Sequence, residues 1–129
     1  MSDGALRARL RRLAAIRRVV EAVRLSDMAQ LGQTLGAATG LRERATALRT
    51  DARQIAAQGT IAEMQASADW QVVSERRARA ADADAAALYR EAALQSERLA
   101  QSTGRVRAVD HLIADDLQNL KRAALRREE

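Results

Sequence analysis

From Leu6 to Ile55 apolar residues recur almost entirely in steps of three and four, and a second such series runs from Ile61 to Ala124. Recurrence at that spacing draws one apolar stripe along an α-helix, the pattern of a helix that packs lengthwise against another. No proline interrupts either series anywhere in the 129 residues. Alanine, leucine and arginine supply most of the chain, and these lose little on entering a helix. Strand formers are scattered and never alternate. The chain is therefore predicted to be all-α.

The first series reads Leu6, Leu10, Leu13, Ile16, Val20, Val23, then Met28, Leu31, Leu35, Ala38, Leu41, Ala45, Leu48, Ala52 and Ile55. One step of five, between Val23 and Met28, reads as a local irregularity of a coiled-coil seam. The second reads Ile61, Met64, Ala68, then Ala78, Ala81, Ala85, Leu88, Ala92, Leu99, Val106, Val109, Ile113, Leu117, Leu120 and Ala124, and it weakens between Gln71 and Ser74. Between the two stands Gln58-Gly59-Thr60-Ile61-Ala62-Glu63. Glycine accepts the left-handed backbone that closes a helix. Thr60 with Glu63 three residues on is a capping box, which starts one. Stop and start lie side by side, so the chain should reverse there. The expected fold is a single domain, a two-helix antiparallel coiled-coil hairpin with its turn at Gly59–Thr60. Helix 1 should cover about 4–57 and helix 2 about 60–127.

A turn at that point brings together residues whose numbers add to about 119. Leu6 then faces Ile113, Leu10 faces Val109, Leu13 faces Val106, Val20 faces Leu99, Leu31 faces Leu88, Leu41 faces Ala78, and Ile55 faces Met64. The same register sets Gly32 opposite Ala87 and Gly36 opposite Ala83. Gly32, Gly36 and Gly40 lie on one helical face, and close packing of the two backbones is the favoured explanation, ahead of a flexible weak point or a membrane contact. Trp70 falls beside Arg49 and near Arg53, where an arginine could stack on the indole or the ring could anchor a partner. Past Ile113 helix 1 should have run out. Leu117, Leu120, Ala124 and Leu125 would then be uncovered, either as a partner surface or as a fraying end.

The formal net charge is +5, and 21 of the 22 basic residues are arginine. Residues 1–24 hold seven arginines against Asp3 and Glu21 and so account for the whole excess. There is no cysteine, and hence no disulfide framework and no thiolate. The single histidine, His111, has only carboxylates near it and reads as a surface residue, so no metal or cofactor is expected. Paired carboxylates occur, but two helices offer no concave pocket to desolvate them, so no catalytic residue is expected either. No secretory leader is evident at the N-terminus and no apolar run reaches 18 residues, which leads to an expectation of a cytoplasmic protein.

Nucleic acid has the basic charge in its favour. Against it, the arginines surround helix 1 without forming a stripe, and no aromatic platform accompanies them. A basic start of the form Leu-Arg-Ala-Arg-Leu-Arg-Arg-Leu, a leucine/alanine hairpin of this size and an arginine-rich C-terminal tail resemble the flagellar export protein FliJ family. The resemblance implies a non-enzymatic coiled-coil component of type III protein export in bacterial flagellum biogenesis. Its paired termini would sit in the hexameric export ATPase and its hairpin would contact the export gate. Residues here that suit such an end are Arg11, Arg12, Arg17, Leu117, Leu120, Arg122 and Arg126. A generic coiled-coil scaffold, a helical export chaperone and a basic nucleic-acid-binding hairpin are the alternatives. Because two helices alone make a thin core, a homodimer is compatible with all of them.

Overall fold

A computed structural model describes residues 2–56 and 59–128, and all of its regular structure is helical. Helix α1 spans Asp3–Ala56 and helix α2 spans Ile61–Glu128, packed against each other as an all-α hairpin. The expected end of the first helix at Ala57, and Gln58 in the turn, lie outside the described residues. Ser2 starts α1: its hydroxyl accepts the Ala5 N–H at 3.2 Å and its carbonyl accepts the Leu6 N–H at 3.0 Å. Asp3 adds a negative charge at the positive end of the helix dipole.

The reversal occurs where the capping chemistry put it. Gly59 has φ +136, a conformation side chains resist. A Cβ there would also stand 2.8 Å from the Cβ of Glu63. The Thr60 N–H donates to Glu63 Oε2 at 3.1 Å, and the Glu63 N–H donates to Thr60 Oγ1 at 3.4 Å. Both halves of the capping box are closed, and α2 begins one residue after its cap.

Two compact units make up the chain, Met1–Gln30 with Gln95–Glu129 and Leu31–Leu94. In the second unit the seam is built from small side chains. Ala38, Ala45 and Ala52 on α1 and Ser67, Ser74, Ala78, Ala81 and Ala85 on α2 are all buried. Ala45, Ala78 and Ala81 form its centre, with Leu41 and Leu48 packed on them. Ala38 and Ala78 are 0% exposed. With only one partner helix to cover it, a methyl group can be wholly hidden only if the two backbones run close together. Arg49 fastens this edge, with Nε 3.1 Å from Glu75 and a terminal nitrogen 2.7 Å from Asp82. Arg42 lies over the Tyr89 ring, 5.1 Å from its centre.

The hydrogen bond from Arg49 holds the Glu75 carboxyl below its ordinary value of 4.5. A depressed carboxyl stabilises the fold above its unfolded value, and that contribution disappears as the pH falls through the lower folded value. Thermal stability should therefore drop on acidification below about 4.5, and Arg49→Gln should remove part of that drop. A set of melting curves at low salt tests both.

In the first unit Leu6, Leu13, Val106 and Val109 are the buried apolar residues, joined by Gln95, Ser102 and Asp116. The inward positions of α1 keep strict alternating steps of four and three from Leu6 through Ala52: Leu6, Leu10, Leu13, Arg17, Val20, Arg24, Asp27, then Leu31, Thr34, Ala38 and onward, each buried or half-buried. The expected step of five is absent. Ile16, Val23, Met28 and Leu35, assigned to the seam from their apolar character, are 40–48% exposed. Holding the heptad phase keeps the helix at one winding throughout. Arginine tolerates the inward positions because its stem can lie along the groove while its head reaches water. Arg24 does so and binds Glu21 at 2.5 Å.

The register differs from the one counted outward from the turn. Arg49 pairs with Glu75 and Arg9 with Asp116, numbers adding to 124 and 125 rather than 119. The whole first turn and a half of α2, residues 61–66, is exposed. Ile55 at 49% and Met64 at 56% are therefore not a buried facing pair. At the chain ends the consequence is opposite: α1 reaches further along α2 than expected. Asp116 is 4% exposed, and Asp3 pairs with Arg127. The anticipated uncovered overhang beyond Ile113 does not exist.

The glycine expectation is also overturned. Gly32, Gly36 and Gly40 are exposed, as are Ala83 and Ala87, and a Cβ on any of the three glycines would meet no atom within 4 Å. They fall between the inward positions Leu31, Thr34, Ala38 and Leu41, on the far side of the helix.

Candidate docking surface at the chain ends

The first unit contains fourteen basic and nine acidic residues, and the second contains eight of each. The entire net charge of +5 thus belongs to the unit that holds both ends of the chain.

Folding splits the seven residues nominated from the sequence. Arg17 is drawn into the seam, half-buried, with Nε 2.5 Å from Asp110 Oδ1. That hydrogen bond raises the arginine pKa further above its already high ordinary value. Leu120 is also a half-buried seam residue. Both hold the hairpin together. Leu117 is 52% exposed, one position off the seam that Asp116 occupies. Arg11, Arg12, Arg122 and Arg126 are exposed and have no ion pair among the described residues.

Arg122 and Arg126 come together with a residue the sequence did not single out. One shallow cleft is lined by Arg9, Asn119, Arg122 and Arg126 above Leu6, Ala123 and Asp116. Arg9 Nε lies 2.9 Å from the nearly buried Asp116 Oδ2, so the only carboxylate among the described residues lining the cleft is already ion-paired. Two guanidinium groups remain free at its rim beside the Asn119 amide. Arginine presents its donors in a planar fork that fits a carboxylate with two parallel bonds. The arrangement can receive an acidic side chain. Steps of three and four from Asn119 to Arg122 to Arg126, with Asp116 before them, were the available signal for it.

Elsewhere the side chains are structural. Trp70 is half-buried with Arg77 over its ring at 5.9 Å, in place of the expected Arg49, which is committed to Glu75 and Asp82. A hydrogen bond with the Thr39 hydroxyl lowers the Tyr89 pKa; burial opposes it more weakly, and Arg42 adds a smaller lowering. His111 is 78% exposed and 3.5 Å from Asp115. Among the described residues no three His, Cys, Asp or Glu side chains gather as a metal site would require, and no helix is long and apolar enough to cross a membrane.

Fold and site together define a helical hairpin with a neutral turn-bearing unit and a basic terminal unit. Comparison with protein-family models, curated proteins and solved structures yields no match.

Proposed function

We propose that the chain is a non-enzymatic docking component that presents its basic terminal unit to an acidic protein surface in the cytoplasm. The observation that carries this is the segregation of charge, +5 on one unit and zero on the other. A merely solvated coiled coil needs no such division, whereas a positive end steers and orients an encounter with a negative partner. Arg122 and Arg126 at the cleft, with Arg11, Arg12 and the exposed Leu117, are the contacts assigned to it. The sequence resemblance to the FliJ family makes flagellar type III export the setting, with the hexameric export ATPase as receptor for the terminal end and the export gate as a second partner.

A nucleic-acid partner is less favoured because both aromatic residues, Trp70 and Tyr89, belong to the neutral unit, leaving no base-stacking surface on the basic one. A scaffold or export chaperone would share the fold without the charged end being needed. Binding of the full chain to a purified hexameric export ATPase, and separately to random duplex DNA, discriminates these. The expected outcome is capture by the ATPase, weakened about tenfold or more by Arg122→Glu with Arg126→Glu. Tight, steeply salt-dependent binding to the duplex with none to the ATPase would replace this function with the nucleic-acid one.

A further inference from the structure

Arg9 and Asn119, one from each helix, line the same cleft on one flank of the seam. The helices run in opposite directions. One heptad further along each therefore brings Ile16 and Leu112 to that flank, and a second heptad brings Val23 and Arg105. All of these belong to the unit that holds the chain ends. Ile16 is 48% exposed, Val23 43% and Leu112 40%, and Val19, three residues from Ile16 and four from Val23, reaches 64%. Single exposed apolar residues are ordinary, but four on one flank beside a cleft make a patch. Ile16, Val19 and Val23 are also β-branched, at exposed positions where the alanine or arginine so frequent in this chain would suit a helix better. A face turned only to water gains nothing from them.

The flank is thus graded along its length. Nearest the chain ends stand the guanidinium groups of Arg122 and Arg126, exposed and without an ion pair among the described residues. Further in, the groove between the helices is edged by the apolar four. Asp115, three residues from Leu112, lies 3.5 Å from His111. We propose that this flank seats an amphipathic helix of a partner protein, with its acidic end against Arg122 and Arg126 and its apolar stripe on Ile16, Val19, Val23 and Leu112. The proposal rests on the docking function given above and names the chemistry of the partner. Arg122 and Arg126 are four residues apart, about 6 Å along the axis, the spacing at which a helix presents two carboxylates at i and i+4. From Arg9 to Val23 the groove runs roughly 21 Å, which a helix of about four turns fills. Charge decides against a second copy of the chain as occupant. Its terminal unit would set +5 against +5, and its other unit has no excess of carboxylates to offer.

A synthetic peptide of about 20 residues tests this on the full chain, with two glutamates four apart near one end and leucines following in steps of three and four. The reversed sequence is the second probe, so that both directions of the occupant are sampled. Fluorescence anisotropy should show one of the two binding, with a gain in helical ellipticity over the sum of the separate components. Alanine in place of the peptide's leucines should weaken binding about tenfold or more. So should Val19→Gln with Val23→Gln, and so should Arg122→Glu with Arg126→Glu. Glutamine is a good helix former and both valines are exposed, so the hairpin keeps its fold. Binding of neither peptide overturns the proposal, as does binding indifferent to the leucines or to the two valines. Capture of the export ATPase that survives Val19→Gln with Val23→Gln but is lost with Arg122→Glu and Arg126→Glu also overturns it, while leaving the docking function standing. Peptide binding without ATPase capture would keep the acidic helix and remove that receptor.

Discussion

Leucine in place of Ala78 is expected to destabilise the hairpin by about 1–3 kcal/mol, while leucine in place of Ala80 is expected to change little. Ala78 is 0% exposed and Ala80 is exposed, two residues along the same helix. Ala78 sits with Ala45 and Ala81 where the backbones approach each other, and three added carbons there must either push the helices apart or force strained rotamers. Separation would uncover Ala45 and Ala81 and lengthen the reach of Arg49 to Glu75 and Asp82 on the same unit. Leucine is a good helix former, so loss of intrinsic propensity does not confound the comparison. Chemical denaturation of the two variants decides it: equal midpoints would mean that small side chains do not set the helix spacing.

The second large effect has the opposite sign. Changing Gly40 and Gly104 together to alanine should raise stability by about 2 kcal/mol. Each lies inside a helix, and a Cβ at either meets nothing within 4 Å. The gain comes from the reduced freedom of the unfolded chain and from helix propensity, with no packing term to offset it. If Gly40 instead met the opposite backbone, as its spacing from Gly32 and Gly36 suggested, the double variant would lose stability. The thermal midpoint reads the sign directly.

That reversal shows where sequence is informative and where it is not. The turn was legible because it depends on backbone chemistry confined to five residues: Gly59 for a positive φ, Thr60 and Glu63 for reciprocal hydrogen bonds. The all-α class was legible because periodicity and the absence of proline act over the whole chain. The phase of the seam was not. Ile16, Val23, Met28 and Leu35 look like core, yet they flank a seam that runs through Arg17, Arg24, Asp27 and Thr34. Following hydrophobic character at each step lost the phase that strict heptad continuity would have preserved. Counting the register outward from the turn was a separate error, which set the glycines against Ala83 and Ala87 inside the hairpin and left α2 with an overhang. The register depended further on how much of α2 passes before its first contact with α1, and no residue pattern near Ile61 announces that.

At the candidate surface the arginines were visible, but their division was not. Arg17 and Arg122 are indistinguishable as residue types. Only the register shows that Asp110 meets the first and that Arg9 rather than Arg122 meets Asp116. The buried carboxylate turns a general basic end into a cleft with free guanidinium groups on its rim.

The arrangement of the seam is most directly tested by disulfide formation in the cysteine-free chain. Ala45→Cys with Ala78→Cys should close rapidly within one molecule, whereas Gly32→Cys with Ala87→Cys, the pair that the turn-counted register would join, should not. Closure of the second pair at the rate of the first, or crosslinks from the first only between molecules, would contradict the hairpin described here.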